Sequence, residues 1–167
     1  MSNGTKRMAT PLQELIRTHA RAGRVAWIGV RTTRRGAIEP LARVRIEHHG
    51  LVGDHRARPG KRAVSLMQSE HLPVIAALVG ESARVTPEAL RRNIHVAGIN
   101  LGTLRDRTFR VGSTVLRGTG PCAPCSRMTE AFGPGGYNAV RGHGGIVAEV
   151  LEPGDVAIDD ELVALDE

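Results

Sequence analysis

Apolar positions along the chain fall into short runs whose spacing predicts many strands and few helices. RVAWIGV, from Arg24, is mostly apolar like a buried strand, whereas LARVRI, from Leu41, alternates apolar and basic residues like a half-exposed strand. The same reasoning predicts strands over residues 24–30, 41–46, 63–67, 93–96, 108–111, 114–116, 146–151 and part of 156–165. Residues 48–62 have no periodicity and hold three glycines, so this stretch is predicted to be a charged loop.

Helices are indicated mainly by signals at their ends. Thr10 followed by a proline predicts a helix over residues 11–17, and Thr86 followed by a proline predicts a short one. Between them, Ser69 is predicted to cap a helix that runs to about residue 79 and is closed by Gly80. A further helix is predicted over residues 126–132, where a glycine-rich stretch ends it.

Many short strands, glycine-rich turns and a few short helices predict a mainly β fold, closed and largely antiparallel. A chain of 167 residues is long enough for one domain with its own core. Aromatic residues make up only 2 %, so the core is predicted to consist of Val, Leu, Ile and Ala. The first eight residues are predicted to be disordered.

The chain carries a net charge of +6, for which nucleic acid, a membrane surface and an anionic small ligand compete as partners. Proteins that bind single-stranded nucleic acid usually place stacking aromatics beside their basic groups, and this chain has one Trp, one Tyr and two Phe. No basic amphipathic helix with bulky apolar residues is visible either. An anionic small ligand fits best, and a merely basic surface is the plain alternative.

The sequence also indicates the compartment. No apolar run approaches the roughly 20 residues that span a bilayer, and no secretory signal follows the first basic residues. Both cysteines of the chain, Cys122 and Cys125, lie three apart in one motif, whereas a secreted disulfide scaffold would spread them out. We therefore expect a cytoplasmic protein whose thiols stay reduced for chemistry or metal binding.

The segment TGPCAPCSRM, from Thr119, allows three interpretations: a redox dithiol, half of a zinc site, or a loop that presents one active thiolate. A structural zinc site needs four ligands, and His48, His49 and His143 do not complete a recognised zinc pattern. A thioredoxin-like site needs a βαβ context, which the short strands here do not provide. The single active thiolate is favoured.

Cys125 is the better candidate for that thiolate than Cys122. Pro124 fixes the backbone before it, and the helix predicted from residue 126 places it near free N–H groups and the positive end of the macrodipole. Arg127 adds positive charge nearby. The plain alternative is that both cysteines are small buried apolar residues.

Basic residues recur in loops that offer guanidinium and N–H groups to a phosphate or oxyanion. They include Arg91 and Arg92, where a helix gives way to a strand, and those in two glycine-containing loops: Arg56, Arg58, Lys61, Arg62, Arg141 and His143. Each alone is more often simply solvated. Asp54, in Gly53-Asp54-His55, is predicted either to orient an arginine or ligand amine or to stabilise a turn.

The order of these motifs resembles the MOSC domain family, named for the C-terminal domain of molybdenum-cofactor sulfurases, and looks closest to its small stand-alone bacterial members. The motifs that carry the resemblance are Gly50-Leu51-Val52-Gly53-Asp54, Ala63-Val64-Ser65-Leu66, Arg91-Arg92-Asn93-Ile94, Gly118 to Cys125, and Arg141-Gly142-His143-Gly144-Gly145. The resemblance covers residues 23–165, which leaves residues 1–22 as an N-terminal extension with a short helix.

The resemblance implies a MOSC-type β-barrel with an essential cysteine and the molybdenum cofactor, molybdopterin, as its ligand. Carried over, Cys125 is the molybdenum ligand or a persulfide carrier, and Arg91 and Asn93 contact the cofactor's phosphate or pterin. The loop residues Arg56, Arg62, Arg141 and His143 then serve the same anionic ligand. Cys122, Asp54 and Arg127 are expected to support the site.

Three functions follow from this sequence. The first is a molybdenum-cofactor-binding protein that reduces N-oxygenated compounds or handles the cofactor. The second is a sulfur carrier whose Cys125 receives a persulfide from a pyridoxal-phosphate-dependent desulfurase. The third is a basic nucleic-acid-binding module with a structural CxxC. Whether the protein is an enzyme, as an oxidoreductase or a sulfur transferase, stays open.

One departure from the larger relatives affects the expected partners. Those relatives have an additional N-terminal β domain that supplies part of the cofactor cradle, whereas only about twenty residues precede the first predicted strand here. We therefore expect that a second subunit, for example in a homodimer, completes the site, that the cofactor is held loosely, or that only sulfur is carried. A desulfurase or a reductase is the expected protein partner.

Overall fold

The structure is a computed structural model that describes residues 9–165, and it is mainly β. Its strands are β1 (Gly23–Val30), β2 (Glu39–Pro40), β3 (Arg43–Glu47), β4 (Gly50–Leu51), β5 (Val64–Gln68), β6 (Ile94–Ala97), β7 (Thr108–Val111), β8 (Thr114–Pro121), β9 (Ile146–Glu152), β10 (Gly154–Ala157) and β11 (Glu161–Ala164). The prediction for the first eight residues lies outside the described residues.

Seven of these strands close into a barrel. Their order is β11-β7-β8-β9-β5-β6-β1, and the barrel closes where Gly23 of β1 pairs with Leu162 of β11. All neighbours in the barrel are antiparallel except β5 and β6, which run parallel. A small sheet of order β10-β3-β4 accompanies the barrel, and β2 pairs with the end of β1. The predicted closed, mainly antiparallel fold is therefore confirmed.

The helices are α1 (Pro11–Arg17), α2 (His71–Val79), α3 (Pro87–Leu90), α4 (Arg127–Phe132) and α5 (Gly136–Val140). Thr10 forms a capping box with Gln13 at α1, and Thr86 accepts from the Ala89 N–H at α3. Gly80 closes α2 in the left-handed region, at φ 84°. None of these helices is long and apolar enough to cross a bilayer, within residues 9–165.

The core consists of two aliphatic clusters. Inside the barrel, alternate residues of the strands pack together, among them Val25, Ile28, Leu66, Ile94 and Phe109. Outside it, α2, α3, α4 and α5 contribute a second cluster against Met67 of β5. Because successive strand residues face opposite sides, β5 and β6 are buried on both faces at once. The helices α4 and α5, which lie between β8 and β9 along the chain, belong to this second layer.

Among the details that differ from the sequence prediction are the cap of α2, the strand β4 and the helix α5. Glu70 rather than Ser69 is the N-cap of α2, and Ser69 instead accepts the Leu72 N–H with its main-chain oxygen. The predicted loop 48–62 contains β4, whose Leu51 pairs with Ile46. The five-residue α5 was not predicted, since it begins at a glycine and is too short for a helical period. The division between residues 1–22 and 23–165 stays a prediction.

Candidate functional site

The two cysteines lie in the loop between β8, which ends at Pro121, and α4, which begins at Arg127; we call residues 122–126 the cysteine loop. The N–H of Cys122 donates to the Gly145 oxygen at 2.8 Å, so the loop starts by continuing the pairing of β8 with β9. The Cys122 side chain is buried, whereas Cys125 is exposed. Of the two thiols, only that of Cys125 is therefore accessible to a ligand.

A buried arginine holds the cysteine loop in place. The Arg92 guanidinium donates from Nε to the Gly144 oxygen at 2.9 Å and from Nη1 to the Leu90 oxygen at 3.0 Å. Its Nη2 lies 3.5 Å from the Cys122 oxygen and 3.4 Å from the Ala123 oxygen. Arg92 thereby links the start of β6 to the cysteine loop and to the turn before β9.

Asp54 and Asn93 form the centre of a buried polar network. The Asn93 Nδ2 donates to Asp54 Oδ2 at 2.9 Å and to the Gly29 oxygen at 3.2 Å, while its Oδ1 accepts from the Ser65 hydroxyl at 3.0 Å. The main-chain N–H groups of Arg31 and Arg56 donate to the Asp54 carboxylate at 3.2 and 2.9 Å. This network joins the end of β1, the loop after β4 and the starts of β5 and β6.

The Asp54 carboxylate is ionised in this setting. Burial raises its pKa, but the Arg56 N–H, the Arg31 guanidinium and N–H, and the Asn93 amide lower it more, so that it lies below its ordinary value of 3.8. The Arg31 Nε is 3.5 Å from Asp54 Oδ2. Asp54 thus forms an ion pair with Arg31 and accepts the Arg56 N–H at the turn, and its predicted support of a ligand site stays a prediction.

Several charged groups lie close to the Arg91 guanidinium, and Cys125 is one of them. Burial, followed by the positive charges of Arg127 and Arg31, lowers the pKa of Arg91, whereas the charges of Cys125 and Asp54 act in the opposite direction. Arg127, Arg31, Cys125 and Asp54 are therefore all close enough to Arg91 to act on its charge. Arg91 takes a left-handed backbone conformation, at φ 61°, and its Nη1 donates to the Gly36 oxygen at 3.0 Å.

The remaining predicted residues are less closely integrated. Arg56 is held through its main chain, and its side chain is exposed, as are those of Arg62 and Arg141. His143 is half-buried, and its ring meets that of His71 in a T-shaped contact at 5.0 Å. Their predicted contacts with an anionic ligand stay predictions.

A cavity of about 270 Å³ opens between the ends of β5 and β8 and the start of β9. Its lining includes Gln68, His71, Arg105, Pro121 and Gly145. The His71 Nδ1 is buried without a partner in the described part of the chain. The sequence singled out neither His71 nor Arg105.

The described residues contain no group of three or more His, Cys, Asp or Glu side chains that could hold a metal ion. A metal bound here by Cys125 would accordingly take its other ligands from a cofactor or from outside residues 9–165. The donor set therefore fits a metal that arrives with its own ligands better than a bare ion.

Sequence reasoning missed the parts played by Arg31, Arg92 and Ser65. Arg92 stands inside the Arg91-Arg92-Asn93 motif, and Arg31 follows directly on a buried strand, so each had a local signal. Their partners, however, lie far along the chain: 23 residues separate Arg31 from Asp54, and 52 separate Arg92 from Gly144.

Comparison with known families gives one match. The model of the MOSC domain matches residues 45–163, which is more than half of the chain. A search of curated protein sequences finds no significant match.

Solved structures show the same fold. YuaD from Bacillus subtilis is 20 % identical with a TM-score of 0.75, and the alignment covers 85 % of this chain and 94 % of that protein. YiiM from Escherichia coli is 19 % identical, with a TM-score of 0.68 over 86 % of this chain and 70 % of its own. YiiM from Geobacillus stearothermophilus is also 19 % identical, with a TM-score of 0.70 and coverage of 86 % and 75 %.

Proposed function

Because the chain belongs to the MOSC domain family, we propose that it binds the molybdenum cofactor and that Cys125 is the molybdenum ligand. The observation that carries the proposal is the exposed Cys125 thiol near Arg91, whose guanidinium also lies near that of Arg127. A thiolate is a soft ligand of the kind that suits such a metal centre. The bound cofactor would supply the redox chemistry by which oxygen is removed from an N-oxygenated compound.

The charge around the thiol suits an anionic cofactor. Arg31, Arg91 and Arg127 act on this neighbourhood, and Asp54 is the carboxylate that opposes them. Asp54 is already engaged by Arg31 and by two main-chain N–H groups. The charges of Arg91 and Arg127 are thus left to attract a phosphate, which guanidinium groups bind in charge-assisted hydrogen bonds.

The chain's own residues divide the work in this proposal. Cys125 contributes sulfur, and Arg91 and Arg127 neutralise the phosphate. Both the oxygen and the nitrogen of the Asn93 amide are hydrogen-bonded inside the protein, to Ser65 and Asp54. Asn93 would therefore support the site by fixing these two residues rather than by binding the ligand with a free amide. The exposed Arg56, Arg62 and Arg141, with His143, would close over the ligand from neighbouring loops.

The persulfide carrier is the second candidate, because an exposed cysteine is also what a sulfur carrier needs. In that case a desulfurase would transfer one sulfur to Cys125 and no metal would be required. The cofactor-binding proposal, by contrast, includes reduction of N-oxygenated compounds and a reductase partner. It also includes a second subunit that completes the site and a cytoplasmic location.

The test is the molybdenum and pterin content of protein purified gently from a host that makes the cofactor. We expect the wild type to carry molybdenum, and Cys125→Ser to carry at least about tenfold less, since the ligand is lost. Cys122→Ser is the matched control, because its side chain is buried in the same loop. Equal molybdenum in the wild type and Cys125→Ser would refute the proposal.

A double variant, Arg91→Gln with Arg127→Gln, tests the role of charge. We expect it to reduce pterin retention, whereas Arg110→Gln on the exposed side of β7 should leave it unchanged. A mass gain of one sulfur on Cys125 after incubation with a desulfurase and cysteine, in protein free of molybdenum, would instead favour the carrier.

A further inference from the structure

Arg92 is a charged side chain buried almost completely, with 7 % of its surface exposed. A buried charge needs partners, and an arginine usually finds a carboxylate. Here, among the described residues, no carboxylate forms an ion pair with it. All four of its acceptors are main-chain oxygens instead, those of Leu90, Cys122, Ala123 and Gly144.

These oxygens belong to three separate segments. Leu90 ends α3, Cys122 and Ala123 begin the cysteine loop, and Gly144 lies in the turn before β9. A guanidinium has five N–H donors in a rigid plane, so it fixes the directions of its acceptors as well as their distances. Because the acceptors are main-chain oxygens, these hydrogen bonds constrain the path of the backbone rather than the position of a neighbouring side chain.

Close packing at Gly144 supports the same constraint independently. A Cβ atom at Gly144 would lie 2.3 Å from the Cys122 oxygen and 3.2 Å from the Arg92 Nη2. The Cys122 N–H also donates to the Gly145 oxygen at 2.8 Å. The cysteine loop is therefore seated on the turn 144–145 without room for a side chain, and Arg92 spans both.

Arg92 also stands between two residues of the site. Arg91, before it, shares the electrostatic neighbourhood of Cys125, and Asn93, after it, anchors the buried network with Asp54. Whatever fixes the cysteine loop to Arg92 therefore fixes it relative to Arg91.

We infer that Arg92 is the positioning residue of this site: by binding the main-chain oxygens of residues 122, 123 and 144, it holds Cys125 within the field of Arg91 and Arg127. The inference rests on the proposed function only in taking Cys125 as the working group. It is independent of whether that thiol binds molybdenum or carries sulfur.

The test measures how strongly the field of the arginines acts on Cys125. In a Cys122→Ala background, Cys125 is alkylated by neutral iodoacetamide and attacked by the dianionic reagent dithiobis(nitrobenzoate), and the ratio of the two rates is compared between variants. Positive charge near a thiol speeds the anionic reagent selectively. We expect Arg92→Met and Arg92→Gln each to lower the anionic-to-neutral ratio at least about fivefold.

Arg92→Lys separates positioning from the charge of Arg92 itself, because a lysine keeps the charge but cannot reach all four oxygens. It should recover only part of the ratio; full recovery would mean that the charge of Arg92 acts directly on the thiol and would overturn the inference. Arg91→Gln and Arg127→Gln should lower the ratio without Arg92 being touched. An unchanged ratio in either Arg92→Met or Arg92→Gln, shown by circular dichroism to be folded, would overturn the inference. A purely structural role would lower the melting temperature and leave the ratio as it is. The ratio of modification rates does not depend on molybdenum content. The inference can therefore hold even if the proposed cofactor binding is refuted.

Discussion

Single buried polar residues decide how the site is ordered, and Asp54 is one of them. Its carboxylate receives N–H groups from Arg31, Arg56 and Asn93, which come from three different segments. Hydrogen bonds to a buried charged group contribute more to stability than those between neutral groups, and a buried donor left without an acceptor destabilises the fold. The carboxylate therefore fixes the end of β1 relative to the start of β6.

Asp54→Asn should lower the free energy of unfolding by about 2 kcal/mol at neutral pH, because the amide accepts fewer hydrogen bonds and loses the attraction of Arg31. The folded pKa of Asp54 lies below the unfolded value of 3.8, so this stabilisation is complete above pH 3.8 and is lost as the pH falls through the folded pKa. Urea unfolding of both proteins at several pH values measures the difference.

The matched control is Asp155→Asn, since that exposed carboxylate pairs with Arg45 at 3.6 Å. An exposed ion pair contributes little, and we expect a change below about 1 kcal/mol. A difference for Asp54→Asn that stays constant down to the most acid pH would contradict the role assigned to its charge.

The residue types of the site could be predicted from sequence, but their connections could not. Cys125, Arg91 and Asp54 are marked by their motifs, and the two prolines of the cysteine motif indicate a defined loop. The Arg91-Arg92-Asn93 motif marks Arg92, but it does not show that the side chain is buried, because the acceptors in the cysteine loop and at Gly144 are main-chain oxygens that become neighbours only when β8 and β9 pair. The group of main-chain oxygens that binds the Arg92 guanidinium exists only in the folded chain.

At the scale of elements, the turn between α5 and β9 determines where the cysteine loop is seated. Gly142 and Gly145 both lie in this turn with positive φ, at 82° and 84°. A Cβ at Gly142 would meet nothing within 4 Å, whereas a Cβ at Gly145 would lie 1.9 Å from the Leu66 oxygen. An alanine at Gly142 would therefore cost only the free energy of the left-handed backbone conformation. An alanine at Gly145 would cost that and, in addition, the free energy of a clash with the Leu66 oxygen.

Gly142→Ala should cost about 1 kcal/mol, which is the penalty of a left-handed conformation for a residue with a Cβ. Gly145→Ala should cost several times more, because it adds a clash with the main chain of β5 and displaces the oxygen that binds the Cys122 N–H. Denaturant unfolding gives both values, and the alkylation rate of Cys125 should change only in Gly145→Ala. Equal costs would mean that the close approach is relieved by relaxation.

The elements themselves were largely predictable. β1, β7, β9 and the capped helices α1 and α3 follow from periodicity and end signals, which are local. The two-residue strands β2 and β4 were not, because their only evidence is pairing with β1 and β3. β8 extends five residues beyond its predicted end, since TGP at its end reads as a turn and becomes a strand by pairing with β9.

At the scale of the whole molecule, two cores meet across one sheet. Residues of β5 and β6 alternate between the barrel interior and the layer beneath α2 to α5, so a polar residue on the second side is as buried as one in the barrel. His95 of β6 occupies such a position. It pairs in register with Trp27 of β1 and Met67 of β5, and its ring meets the indole at 5.1 Å.

His95 makes the stability of the whole fold depend on pH. Burial, aided by the positive charge of Arg92, lowers its pKa from 6.5 to about 3, and neither ring nitrogen has a partner among the described residues. Between these values the unfolded chain binds a proton that the folded one does not, so stability falls as the pH falls from 6.5. The loss approaches about 1.4 kcal/mol per pH unit.

His95→Phe should remove this dependence while it preserves a ring against Trp27. Above pH 6.5 the histidine is neutral in both states, so the difference between the two proteins should be constant there, which provides an internal reference. At about pH 4.5 the variant should gain about 2 to 3 kcal/mol relative to the wild type, above the range in which Asp54 titrates. Urea unfolding across this interval tests the assignment, and parallel curves for the two proteins would show that His95 is protonated as readily in the folded chain as in the unfolded one.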